Sequence, residues 1–221
     1  SNRFGTAAVT LGRVSIARQG VRAALAFRSR PVKFGRQRTV TIPAGAEVVS
    51  DPVRVRVKPF ENIAISVFVR GDIASPTEHF STRQTSYKTS TGTGDHSDDK
   101  DGAAFTETTA SGPFSTGWYF IAGLDVRAPG RVATVVTFGD SITDGYEANG
   151  GVESQEGIDA NGRYPDVLTR RLIAASRSLS VLNAGISGNR ILQDGQIPLF
   201  DPSGLSRLQK DALEQPAGVE L

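Results

Sequence analysis

The 221-residue chain contains no cysteine and no methionine. The first absence removes disulfides, thiolate metal sites and a cysteine nucleophile from consideration, though it does not fix the compartment. The second means that the chain does not open on an initiator methionine. It begins Ser1-Asn2-Arg3-Phe4-Gly5 with no leader pattern, so a processed or truncated start is expected. Histidine is scarce, with only His79 and His96, and Trp118 is the single tryptophan. No apolar run approaches the roughly 20 residues of a bilayer helix, so no membrane span is expected. An excess of one charge is also missing. The 25 basic and 23 acidic residues leave +2, too even to argue for a nucleic-acid partner or a membrane surface. Hydrophobic residues at 38% and charged residues at 22% are the balance of a folded, globular chain.

What is present falls into two patterns. Up to about Arg127 the apolar residues recur with period two between glycine and proline turns. Val9, Leu11 and Val14 to Ala17 predict a first strand, and Thr39 to Pro43 another. Val53, Val55 and Val57 alternate with Arg54, Arg56 and Lys58, which predicts a half-buried strand with a solvated basic face. Lys58 to Asn62 reads as a turn, and Ile63, Ile65, Val67 and Val69 continue the alternation. Residues 81–115 form a long Ser/Thr/Gly/Asp-rich excursion, and Trp118 to Val126 reads as a last strand. Residues 1–127 are therefore expected to be an antiparallel β-sandwich, jelly-roll-like, with the boundary at Ala128-Pro129-Gly130.

Beyond the boundary the pattern changes. Val132 to Phe138 is a nearly continuous apolar run, suited to a strand of a parallel sheet. Tyr164, Val167, Leu168, Leu172 and Ala175 have helical spacing, with Pro165 in the first turn where its missing N–H is harmless. Leu179 to Leu182 is the next strand. Asp201-Pro202 is expected to cap a second helix with Leu205, Leu208 and Ala212 on one face, and Gly218 to Leu221 to lead into a third strand. The order β-α-β-α-(β) predicts that residues 131–221 are the front half of an α/β domain.

Two segments carry chemistry. Thr137-Phe138-Gly139-Asp140-Ser141-Ile142-Thr143-Asp144-Gly145 follows the first buried strand, at the sheet end where α/β sites collect. A serine there can present its hydroxyl and its backbone N–H to a ligand, and it needs a base to act as a nucleophile. The same position also suits a plain helix N-cap. Asn183-Ala184-Gly185-Ile186-Ser187-Gly188-Asn189 follows the second strand at the same end, and its glycines allow backbone N–H groups to approach a substrate oxygen, as an oxyanion hole requires.

Together the two segments resemble the SGNH, or GDSL, hydrolase family. Gly139-Asp140-Ser141-Ile142-Thr143 is similar to its first block, Asn183-Ala184-Gly185-Ile186-Ser187-Gly188 to its second, and Tyr164-Pro165 to its helix start. The resemblance covers roughly residues 131–221. It implies that Ser141 is the nucleophile, that the N–H groups of Ser141 and Gly188 are oxyanion donors, and that Gly139 and Asp140 support the turn. It also implies a Gly-x-Asn-Asp block and an Asp-x-x-His block, which residues 1–221 do not contain, so this chain alone is expected to be inactive. No metal and no organic cofactor are called for. The implied substrate is a small-molecule or polysaccharide ester. Similar secreted esterases place a jelly-roll-like domain before the catalytic one, which points to an extracytoplasmic location.

Other readings fare less well. The nucleophile elbow of an α/β-hydrolase needs glycine two residues after the serine, and Thr143 stands there. No phosphate-binding glycine pattern follows the first strand. A carbohydrate-binding or interaction module with a non-functional esterase remnant is the non-enzyme alternative, in which Trp118 and Tyr119 stack on sugars; the competing expectation is that they pack the sandwich or the domain interface. His96 has carboxylates nearby but reads as a solvent-exposed histidine with an ordinary titration. Asp95, Asp98, Asp99 and Asp101 read as a hydrated acidic loop, because the glycine position of a calcium loop starting at Asp95 is Lys100.

Overall fold

The computed structural model describes residues 1–79, 82–107, 116–128, 132–146, 157–197 and 200–215. The chain divides into two compact units. The first comprises Ser1–His79, Ser86–Thr108 and Trp118–Val126, and the second Phe80–Thr85, Thr109–Gly117 and Arg127–Leu221.

The first unit is antiparallel. Its central strand β1 (Val9–Arg18) pairs along one edge with β2 (Arg30–Val32) and β3 (Val40–Ile42), and along the other with β4 (Ile63–Arg70). The inward parity of β1 switches from odd to even, from Val9 and Leu11 to Val14 and Ile16, all four buried. The cause is a register shift against β4 between Leu11 and Arg13, one extra residue at Gly12, which keeps both halves facing the same core. Val32, Ile42 and Phe120 complete the buried cluster. Each such side chain contributes on the order of 2 kcal/mol relative to exposure. The other face of β1 is covered by the acidic loop: Ser15 is buried and its hydroxyl donates to the Ser97 carbonyl. Short pairs β5 (Glu78–His79) with β8 (Trp118–Tyr119), and β6 (Tyr87–Lys88) with β7 (Thr106–Glu107), complete the described strands of this unit.

Two expected strands differ. Residues 53–58 keep the alternation of half-buried valines with exposed Arg54, Arg56 and Lys58, but are not a ladder strand. The Val55 N–H is spent locally on the Val53 carbonyl. The strand expected over Trp118 to Val126 is only two residues long, because Phe120 has a positive φ of 63° that breaks the extended run.

The second unit holds two parallel strands, β9 (Ala133–Gly139) and β10 (Leu179–Gly185), paired from Ala133 opposite Leu179 to Gly139 opposite Gly185. The short helix α1 (Ser141–Asp144) follows β9, and α2 (Tyr164–Ala174) makes the crossover that parallel strands require. Asp166 accepts the Arg163 N–H at 3.1 Å at the start of α2, and Pro165 is buried in its first turn. Helix α3 (Gly204–Leu208) runs on into one wide π turn, Gln209–Leu213. Ser203, not Asp201, occupies its N-cap position, and the face expected from Leu205, Leu208 and Ala212 is not the buried one. Leu205 is exposed, whereas Gly204 and Arg207 are buried. The third strand expected at Gly218 to Leu221 lies outside the described residues, as do Pro129 and Gly130 of the expected boundary.

Candidate active site

Among the described residues the first unit buries an aliphatic cluster beside a few polar side chains such as Asn2 and Ser15, and the second buries polar side chains around its parallel strands. Thr137, Thr143, Asp144, Ser203 and Arg207 are all buried. Buried polar groups are stable only when hydrogen-bonded, so their partners define the interior. The partners of Asp144 and the main partners of Arg207 lie at or just beyond the carboxyl ends of β9 and β10.

Helix α1 is a single turn and must have its backbone groups satisfied from outside. Asp140 is its N-cap and accepts the Ile142 N–H at 3.0 Å, an interaction of about 1 kcal/mol. The C-cap Gly145 has φ 110° and donates to the Ser141 carbonyl at 2.9 Å, joined there by the Tyr146 N–H at 2.8 Å. The Asn183 side chain donates to the Thr143 carbonyl at 2.7 Å, and Arg163 Nε to the Asp144 carbonyl at 2.9 Å. Arg163 also reaches the Thr82 carbonyl, which ties residues 82–85 into this unit. Ser141 is partly exposed on this pinned turn. Among the described residues nothing hydrogen-bonds its hydroxyl or its N–H.

The segment after β10 lies directly against that turn. A Cβ on Gly185 would stand 2.3 Å from the Asp144 nitrogen and 2.8 Å from the Asp144 Cα, so only glycine allows this approach of backbone to backbone. The Ile186 N–H donates to the Gly139 carbonyl at 3.1 Å, and Ser187 Oγ donates to the buried Asp144 carboxylate at 2.8 Å. Gly188 has φ 73°, and a Cβ there would meet the Phe200 ring at 2.5 Å. It is exposed. The structure thus brings Gly139, Asp140, Ser141 and the 185–188 segment together at one end of the parallel pair.

Arg207 went unnoticed in the sequence, where an arginine on a helix reads as solvated. It is fully buried. Its Nη2 donates to the Gly139 carbonyl at 2.9 Å and its Nη1 to the Ala184 carbonyl at 2.7 Å. Nε and Nη2 donate to Asn189 Oδ1 at 3.1 and 3.0 Å. The guanidinium carbon sits 3.8 Å from the Phe138 ring centroid. Burial pushes its pKa down, and Asp211, 3.4 Å from Nη1, opposes that shift. The Asp144–Ser187 contact was missed as well, since nothing in either residue type signals it.

Both histidines belong to the first unit. His79 meets Trp118 edge-on at 6.0 Å. His96 Nδ1 lies 2.7 Å from Asp99 Oδ2, and its Nε2 3.1 Å from the Thr93 carbonyl. The hydrogen bond to Asp99 raises the His96 pKa above the ordinary histidine value. A raised folded pKa favours the folded state below the unfolded pKa and loses that effect as pH rises through the folded one. An NMR titration is expected to place His96 above ordinary histidine, and Asp99→Asn to bring it down. Equal midpoints in both proteins would contradict the pairing.

The remaining acidic-loop carboxylates are also occupied. Arg13 pairs with Asp95 at 3.2 Å and with Asp98 at 2.6 Å, and Asp101 accepts the Ala103 N–H at 3.0 Å. Among the described residues no group of three or more acidic or histidine side chains is arranged to hold a metal. Trp118 and Tyr119 are both exposed, at 43% and 42%, so they do not pack the core of the sandwich, one of the two placements expected. No described helix is long and apolar enough to cross a membrane.

A family model described as GDSL-like Lipase/Acylhydrolase matches residues 135–218. This stretch runs from within β9 through Ser141, Gly188 and Arg207, and it is a GDSL-like lipase/acylhydrolase domain. The chemistry of that family is ester hydrolysis. No curated protein matches the chain.

Proposed function

We propose that this protein is a serine ester hydrolase in which Ser141 attacks the ester carbonyl and forms an acyl-serine intermediate. The observation that carries the reading is the register of the parallel pair. Gly139 lies opposite Gly185, so the turn bearing Ser141 and the loop bearing Gly188 leave the sheet side by side. As Ser141 Oγ bonds to the acyl carbon, its proton passes to a general base and the carbonyl electrons move onto oxygen. The N–H groups of Ser141 and Gly188 stabilise that oxyanion. The alcohol leaves with the proton, and water then hydrolyses the acyl-serine by the same route. The resemblance assigns the base to a histidine. Neither His79 nor His96 belongs to the second unit.

The proposed substrates are short acyl or acetyl esters, including those on carbohydrates. Residues 145–163, proposed as one wall of the pocket, are glycine-rich and acidic with no apolar run for a fatty chain. Residues 147–156 of that wall lie outside the described residues. The first unit is proposed to be a jelly-roll-like accessory domain of an extracytoplasmic enzyme. The test is hydrolysis of p-nitrophenyl acetate and p-nitrophenyl palmitate by the full-length gene product. Faster turnover of acetate is expected. Preference for palmitate would overturn the substrate class, and hydrolysis of neither would overturn the activity.

A further inference from the structure

The second unit commits a fully buried cation to the carboxyl ends of its two strands. Arg207 lies on α3, well after both active-site segments in sequence, yet it binds the backbone of each. Gly139 is two residues before Ser141, and Ala184 is four before Gly188. Their carbonyls are held by the two terminal nitrogens of one planar group, at 2.9 and 2.7 Å. The third point of attachment is Asn189 Oδ1, beside Gly188. Asn189 is itself fixed, since its Nδ2 donates to the carbonyls of Phe200 at 3.2 Å and Pro202 at 2.7 Å. The ring of Phe138 backs the guanidinium from within β9. The backbone at the start of α3 closes the assembly: the Gly204 N–H donates to the Arg190 carbonyl at 2.7 Å and the Leu205 N–H to the Ile191 carbonyl at 2.9 Å.

This arrangement is a costly way to gain stability alone. Taking a cation out of water costs several kcal/mol before its partners return anything, and an apolar side chain of similar volume is often at least as stabilising. The nearest carboxylate is 3.4 Å away and partly exposed, so most of the compensation comes from neutral oxygens at fixed positions. A guanidinium offers a rigid fork that a lysine cannot reproduce. Its chemical advantage here is that one rigid body ties together the nucleophile turn and the oxyanion loop.

We propose that Arg207 is a positioning residue for ester hydrolysis, setting the separation between Ser141 and the Gly188 N–H by bridging the Gly139 and Ala184 carbonyls and anchoring Asn189. It touches no reacting atom. This role rests on the hydrolase reading above. A displacement of about 1 Å at a reacting group costs on the order of 10² in rate.

The test compares Arg207→Lys and Arg207→Met with the parent and Ser141→Ala in the full-length gene product. The readouts are kcat and KM for p-nitrophenyl acetate, thermal unfolding, and amide exchange of residues 186–189. Both Arg207 variants are expected to lose about 10² in kcat with KM nearly unchanged, and exchange of the 186–189 amides is expected to accelerate. Parental kcat in Arg207→Lys would overturn the role. So would a loss that merely tracks the unfolded fraction, or one without faster exchange at 186–189. Should neither Arg207 variant fold, Asn189→Ala removes only one anchor and is expected to lower kcat about tenfold, and unchanged kcat there would count against the proposal equally. A parent with no Ser141-dependent turnover would remove the hydrolase reading, and this role with it. That pattern differs from an active parent with indifferent Arg207 variants.

Discussion

Ser141→Ala in the full-length gene product is expected to lower kcat for p-nitrophenyl acetate by about 10⁶ while leaving the fold intact. The two halves of this expectation have different origins. The rate loss follows because no other hydroxyl takes the place of the nucleophile on α1. Thr143, two residues on, is buried, and its Oγ1 is paired with the Tyr164 hydroxyl at 3.0 Å. The retained fold follows because the Ser141 side chain holds nothing together. The turn is fixed by its backbone and by Asp140, Asn183 and Arg163, so the change in stability is expected to stay within about 0.5 kcal/mol. Activity within tenfold of the parent would show that the serine is only the first residue of a helix. A large loss of stability would show that the account of what pins α1 is wrong.

Gly185→Ala is expected to do the opposite, damaging structure first and activity through it. The added methyl would lie 2.3 Å from the Asp144 nitrogen, 2.8 Å from the Asp144 Cα and 2.8 Å from the Thr143 carbonyl carbon. All three atoms are backbone, so no side chain can swing aside. Either α1 moves away from β10 or the strand end bends. The first breaks the Asn183 bond to the Thr143 carbonyl and the Ser187 bond to Asp144. A destabilisation of about 3 kcal/mol or more is expected in chemical denaturation, together with loss of hydrolysis. Gly123→Ala is the control, because a methyl there meets nothing within 4 Å. Equal stability of the two variants would contradict the close approach.

The contrast between these two positions also explains what could be read from the sequence. Local patterns were legible. The break in parity between Leu11 and Val14 is visible in the first strand and is the imprint of the bulge at Gly12. The apolar run before Gly139, the Pro165 helix start and the glycines at 185 and 188 mark the parallel pair and its two loops. Interactions between distant segments were not legible. Arg207 carries no local sign that it will be buried, because helix α3 is too short to show a dependable amphipathic period. Its burial depends on three acceptors supplied by segments up to 68 residues away. Asp144 and Ser187 look like turn residues until β9 and β10 are placed side by side. The valines at 53–57 misled in the reverse sense: their alternation was real, but a strand also needs a neighbour to accept its ladder, which no residue in the segment specifies.

The same physics sets the hierarchy within the site. Asp140, Asn183, Arg163 and Arg207 satisfy backbone groups and hold geometry. Ser141 is partly exposed and Gly188 exposed, as their proposed roles require. A polar interior at the strand ends suits this division, since each buried donor and acceptor fixes a direction that an aliphatic core would leave free.

The most direct test of Ser141 as the nucleophile is covalent. The active full-length gene product, inactivated with a fluorophosphonate and digested, is expected to carry a single phosphonyl adduct, mapped by mass spectrometry to Ser141 within Gly139-Asp140-Ser141-Ile142-Thr143. Inactivation with the adduct on another residue, or ester hydrolysis that persists with Ser141 fully modified, would contradict the assignment.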